Sequence, residues 1–228
     1  MTDIRKRGTF NPEPNERVPR QVENIALDWS IVSGKCNCRI SIEGDNLSVI
    51  NWINARWKVS NHHYGRRVDD IRSKIGEMMK NGVRPNHNWE DYGRHKFREL
   101  NKEADHLANE GRIGIINGSN GIDLSIHEKP THIIGRFDGS YREGTAGAGL
   151  TIDCSWKSRS KGNRDTVKPG FIRVLEAGYS VQVIEEDEKG NNSMNAEMTA
   201  CELLIEHVQT ILNETANYDD QHSESSGN

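Results

Sequence analysis

Between Gly111 and Thr131 runs RIGIINGSNGIDLSIHEKP, a stretch rich in Gly, Asn and Ser with neither helical nor strand periodicity. It interrupts an otherwise patterned chain and leaves two ordered halves, 29–112 and 132–213, joined by a linker over 113–131. The first half reads strand, helix, helix, strand, helix, and the second reads strand, strand, strand, helix. No internal repeat relates the two. Together these elements suit an α/β sheet covered by helices.

The first half opens on CNCRISIEGD, where Cys38, Ile40 and Ile42 alternate with polar residues as in a half-buried strand. NLSVINWINARW follows with Leu47, Val49, Ile50, Ile53 and Trp57 at helical spacing. VDDIRSKIGEMMKNG places Val68, Ile71, Ile75 and Met79 on one helical stripe and stops at Gly82. DYGRHKFREL reads as a strand. Asn101 is positioned to cap a last helix, KEADHLANEGR, which Gly111 terminates. In the second half HIIGRF and GAGLTIDC form a hairpin, and IRVLEAGYSVQVI is a third strand. AEMTACELLIEHVQTIL is a helix opened by Ser193 or Asn195. Residues 1–28 carry RKR, three prolines and no period, and read as a disordered arm; 214–228 read as a polar, disordered tail.

Composition narrows the functional classes. No run approaches the roughly 18 apolar residues of a membrane helix, and MTDIRKRGTF lacks the apolar stretch of a secretory signal. The four cysteines (Cys36, Cys38, Cys154, Cys201) contain no CxxC pair and fit neither a zinc ribbon nor a disulfide framework. An intracellular, reducing setting is expected. Thirty basic against 34 acidic residues give a net charge of −4, so nucleic-acid binding would have to rest on local patches. Two such patches exist: Arg66, Arg67, Arg72, Lys74 and Lys80 along a helix, and Lys157, Arg159, Lys161, Arg164 and Lys168 on a loop.

Four acids stand at unusual places. Asp138 follows a buried strand, and Glu197 borders the apolar stripe of its helix, about 40° from Cys201 at about 100° per residue. Asp45 ends a strand, and Asp105 lies inside a short helix between Ala104 and Ala108. Taken singly, Asp45 is a good N-cap, Glu197 favours a helix N-terminus, Asp138 starts a turn, and Asp105 is a solvated residue.

Their flanks say more. FDGSYREGTAGAGLTI resembles the first hairpin of type 1 ribonuclease H domains, in which the Asp of DGS is a metal ligand. NAEMTACELL resembles the helix that carries that family's catalytic Glu. SIEGDNLSVINWI resembles its strand–Asp–helix segment, and RELNKEADHLANEG its last helix with the NxxAD acid. The resemblance spans roughly two thirds of the chain, and WINARWKV followed by a basic helix is similar to the retroelement branch. It implies a ribonuclease-H-like α/β fold with a five-stranded mixed sheet and helices on both faces. It also implies metal ligation by Asp138, Glu197, Asp45 and Asp105, with two Mg²⁺ or Mn²⁺ ions. The expected activity is endonucleolytic hydrolysis of the RNA strand of RNA–DNA hybrids, with Gly139, Ser140 and Asn195 beside the substrate. Carboxylates suit this chemistry because hard oxygen ligands hold Mg²⁺. His95, six residues before Asn101, matches the family's mobile proton-shuttle His; a strand His without a catalytic role is the plainer alternative. His62 and His63 have no ligand-spaced partners and read as surface residues.

The motif order departs from the family. Its third and fourth ligands come first here, at 45 and 105, and its first two follow, at 138 and 197, which is a circular permutation. The bridge over 112–131 can extend to about 66 Å, so one chain can close one site and a monomer is expected. Two adjoining domains cut across, or a non-catalytic nucleic-acid-binding remnant of a retroelement, are the alternatives. Double-stranded DNA nucleases and integrases lack the NxxAD ending.

Overall fold

A computed structural model describes residues 38–86, 91–114, 129–156, 170–183 and 191–223. The described residues belong to one unit, Cys36–Asn228. The expected arm, most of the linker and the second basic run lie outside them.

Strand β1 (Arg39–Gly44) is buried on both faces from Ile40 onward. Helix α1 (Leu47–Ile53) starts at Asn46, whose side chain accepts from the Ser48 and Val49 N–H groups. The capping role open to Asp45 is thus filled by its neighbour. Helix α2 (His62–Lys80) is capped by Asn61, about two turns before Val68, the first stripe residue the pattern marks. Its buried stripe is Tyr64, Val68, Ile71, Ile75 and Met78; Met79, expected on it, faces solvent. The segment expected as one strand over DYGRHKFREL pairs only at β3 (Gly93–His95), after a two-residue β2 (Arg84–Pro85), and then folds into a 3₁₀ turn at Arg98–Leu100. Helix α3 (Lys102–Arg112) follows, with Gly111 inside it rather than ending it. Strands β4 (His132–Arg142), β5 (Thr145–Ser155) and β6 (Ile172–Val181) lead to α4 (Asn191–Ser223). That last helix runs through residues expected as a disordered tail.

The sheet is mixed and open, ordered β2-β1-β4-β5-β6. β4, β5 and β6 form an antiparallel meander, and β1 is parallel to β4, β2 and β3. β4 takes one whole edge of β1, so β2 and β3 share the other. Six strands therefore fill the five positions expected from the sequence, because the edge strand is interrupted. The β1–β4 ladder, from Arg39↔His132 to Gly44↔Phe137, joins the two halves of the chain into one sheet.

Alternation along the strands separates the faces. Leu204 of α4 lies against Gly135, and Ile53 of α1 against Gly93, on the face that also carries Ile42 and Phe137. The opposite face carries α3, seated on Gly147, Gly149 and Gly178. A Cβ on Gly149 would lie 2.0 Å from the Ala104 carbonyl oxygen, so helix backbone rests directly on strand backbone there. The same face holds a chain of charges: Glu43 and Asp153 flank Arg136, and Asp153 and Glu103 flank Arg173. Glu43 is almost fully buried and is also met by Arg94 and Lys96, which satisfies the requirement that a buried charge be paired. Cys38, Cys154 and Cys201 are buried, and no described helix is long and apolar enough to cross a membrane.

Candidate metal centre

The carboxylates of Asp45, Asp138 and Glu197 converge, each offering an oxygen within 4.8 Å of the others. Three local devices bring them together. Asp45 is the first residue after β1, and the parallel β1–β4 ladder carries it alongside the end of Phe137 and the start of Asp138. Asp138 pairs with Gly149 and so points to the α3 face. Glu197 arrives from α4 on the other face, past Gly139. A side chain at 139 would put its Cβ 2.2 Å from the Glu197 nitrogen, so only glycine lets the first turns of α4 close on the strand.

Burial and mutual repulsion set the electrostatics. Asp138 is 3% exposed, and desolvation, then the charges of Glu197 and Asp45, push its carboxyl far above the usual range. A hydrogen bond to Asp45 also favours its protonated form. Glu197 is pushed up to about 8, chiefly by burial and secondarily by Asp45, although Asn46, the Gly139 backbone and Arg98 oppose the shift. Its Oε2 is buried and has no hydrogen-bond partner. A buried carboxylate with an unpartnered oxygen, in a residue that clusters with two other acids, fits a hard cation, and these three residues could hold a metal ion.

Comparison with family models, with curated proteins and with solved structures finds no match. The centre therefore stands on its geometry.

Of the four acids singled out in the sequence, three meet and the fourth stays apart. Asp105 is near enough for its charge to raise Asp138, but its Oδ1 accepts from the Arg98 guanidinium at 2.9 Å. His95 lies beside the backbone of Asp45. β3 pairs Gly44 with His95, and the His95 Nε2 lies 2.9 Å from the Asp45 carbonyl oxygen. Ser140 donates to Asn109 of α3. Two residues expected beside substrate have structural contacts: Gly139 admits α4, and Asn195 is buried, accepting from Arg67 and donating to the Gln182 carbonyl. Three of the five basic residues on α2 are also engaged internally. Arg67 grips Glu202 through two hydrogen bonds, Arg72 donates to the Trp52 carbonyl, and Lys74 meets Asp70 and Glu206. These contacts fasten α2 to α4 and to the end of α1. Arg66 and Lys80 are exposed, as are His62 and His63. The residue that sequence reasoning missed is Arg98. A continuous helix would hold it two turns, about 10 Å, from Asp105, and the 3₁₀ turn instead folds it back to within hydrogen-bond distance.

The raised acids fix a pH dependence. Unfolded, Glu197 and Asp138 titrate near their ordinary values of 4.5 and 3.8. Folded, they hold their protons longer, so their contribution to metal-free stability is complete below about pH 4 and is lost as pH rises through about 8. Melting in EDTA between pH 5 and pH 8 should show Glu197→Gln gaining on the parent chain as pH rises. A constant difference across that window would contradict the assigned environment.

Proposed function

We propose that this chain is a circularly permuted ribonuclease-H-like nuclease that uses Mg²⁺ or Mn²⁺ to hydrolyse the RNA strand of RNA–DNA hybrids. The observation that carries this reading is the meeting of Asp45 from the first half with Asp138 and Glu197 from the second, Glu197 having a buried oxygen with no hydrogen-bond partner. The sheet supports it. The resemblance implies a three-strand meander and two parallel strand positions, and both are present with the parallel strands placed earlier in the chain.

Asp45, Asp138 and Glu197 would hold the ions, with Asp105 as the remaining acid. Bound there, two divalent ions supply an activated water and charge stabilisation at the leaving oxygen of an in-line displacement. The protein's own part is to present ionised carboxylates, so Asp138 and Glu197 must release the protons that burial favours. Burial also excludes bulk water from the cluster, which strengthens every charge interaction inside it. His95 stands at the rim with Nε2 on the Asp45 carbonyl, where it can take or hand on a proton as the product leaves. Selection of the RNA strand requires contact with 2′-hydroxyls across a wide minor groove, and Ser140 borders the site.

The test is cleavage of a labelled RNA strand in a hybrid, with single-stranded RNA and duplex DNA as controls, in Mg²⁺ and in EDTA. Cutting of the RNA strand in the hybrid alone, and only with metal, is expected. Binding of the hybrid with no cleavage in Mg²⁺ or Mn²⁺ would establish a non-catalytic binding module instead. His95→Ala should slow cleavage by no more than about 10²–10⁴-fold, the usual range for acid–base help. It should also leave the Mg²⁺ dependence of melting unchanged. A loss of that dependence would make His95 part of the ion site.

A further inference from the structure

The 3₁₀ turn at Arg98–Leu100 is anchored at both ends. The Lys96 N–H donates to the Gly44 carbonyl at 2.8 Å, and the buried Asn101 amide donates to the Phe137 carbonyl at 2.9 Å. Between those anchors the Arg98 side chain is 74% exposed and makes one hydrogen bond, from a terminal nitrogen to the Asp105 Oδ1. Asp138 and Asp45 also favour its charged form. A permanent cation thus faces the acidic cluster and occupies the one acid that stands outside the trio. Most of its N–H donors remain unused, and an exposed single-point ion pair is easily exchanged.

We propose that Arg98 is a substrate-exchanged latch: in the free protein its guanidinium holds Asp105 away from the centre, and on binding nucleic acid it moves to a backbone phosphate oxygen and releases Asp105. This rests on the nuclease reading above and adds to it an order of assembly. The exchange replaces one anion by another on the same cation, with no bond made or broken. A guanidinium presents paired donors that match a phosphate better than a single carboxylate oxygen does. While it stays on Asp105 its charge opposes a second divalent ion, so the full charge of the centre is completed only when substrate is present.

Mn²⁺ titration of the whole chain by calorimetry, without nucleic acid, reads the latch directly. The parent chain should take one ion readily, and Arg98→Ala should take a second with about tenfold higher affinity than the parent, since one opposing unit charge is removed. Arg98→Lys keeps the charge and should keep the block. Binding of a short hybrid in Ca²⁺, which separates binding from cutting, should weaken about three- to tenfold in Arg98→Ala and by less in Arg98→Lys. The exposed side chain makes misfolding of either variant a minor concern, and a melting curve checks it. A parent chain that takes both ions alone, or an Arg98→Ala isotherm that superimposes on it while the hybrid is still cut, overturns the latch and leaves the nuclease reading intact. A parent chain that binds neither Mn²⁺ nor hybrid overturns both.

Discussion

Asp138→Asn is expected to abolish cleavage while stabilising the metal-free protein. The carboxylate sits in the middle of the trio, so removing its charge removes a ligand; the loss should be about 10³-fold or more, at least the size of losing a preorganised transition-state contact. The same substitution removes a buried acid that three neighbours repel. Its melting temperature in EDTA should therefore equal or exceed that of the parent. An ion that binds the folded site and not the unfolded chain stabilises by RT ln(1 + [L]/Kd). For an assumed Kd of about 1 mM, 10 mM Mg²⁺ contributes roughly 1.4 kcal/mol, a rise of roughly 3–6 °C in a chain of this size. Asp138→Asn should lose that increment, and Asp45→Asn should lose both increment and activity in the same way. Calorimetry at fixed ionic strength measures the first, and the labelled-hybrid assay the second. An Asp138→Asn protein that keeps its Mg²⁺ increment would show that the ion, if any, binds elsewhere.

The second large effect belongs to the bed of α3. In Gly149→Ala the new methyl would stand 2.0 Å from the Ala104 carbonyl oxygen and 2.3 Å from the Ala108 nitrogen, both helix backbone. No rotamer change relieves such a contact, so α3 must lift from the sheet. Gly→Ala in a strand ordinarily gains up to about 1 kcal/mol. The clash outweighs that, because overpacking alone costs about 1–3 kcal/mol and a rigid backbone neighbour places this case at or above the upper end. Melting should fall by roughly 6–12 °C. Hybrid cleavage should fall too at temperatures where the protein remains folded, since α3 carries Asp105. Gly76→Ala is the control: it lies in α2, a Cβ there meets nothing within 4 Å, and stability should rise by roughly 0.5–1 kcal/mol. Equal effects from the two substitutions would deny the close seating of α3.

Much of this arrangement was legible before the structure. Apolar alternation marked β1 and the β4–β5 hairpin, and the flanks of Asp45, Asp138 and Glu197 marked the three acids that meet. What escaped has physical causes. The edge strand beside β1 reads as continuous because DYGRHKFREL has no breaker between Gly93 and Leu100; the turn is held by the Lys96 N–H on the Gly44 carbonyl and the Asn101 amide on the Phe137 carbonyl, contacts between residues far apart in sequence. Met78 and Met79 are equivalent by hydropathy, and the tilt of α2 against α4 chooses between them. Residues beyond Leu212 lack an apolar stripe, which removes the periodic signal by which a helix is read from sequence but not the helix itself, since α4 runs on to Ser223. Asp105 was correctly placed on its helix, yet its partner could not be read, since the Arg98 contact depends on a turn rather than a period. The glycines on β5 and β6 carried no pattern at all, because their use is the absence of a side chain beneath α3.

The β1–β4 ladder bears on how the protein comes into being. The ribosome delivers β1, both helices that cover it and α3 before any of β4 exists. The neighbour that β1 needs at Ile133 and Phe137 is then still untranslated. Until it arrives, β1 lacks its partner on that edge and α3 lacks the strands it rests on, and unpaired edges with uncovered apolar surface are what make partly made chains prone to associate. Asp45 waits with it. The mutual repulsion of the acids is absent during this interval and begins only when Asp138 and Glu197 are made, by which time the meander and its helix are at hand to bear it. In a chain of the opposite order the meander would come first and the lone parallel strands would be added to a finished template. This order thus exchanges early stability for a late, all-at-once closure in which the sheet and the acidic cluster are completed by the same segment.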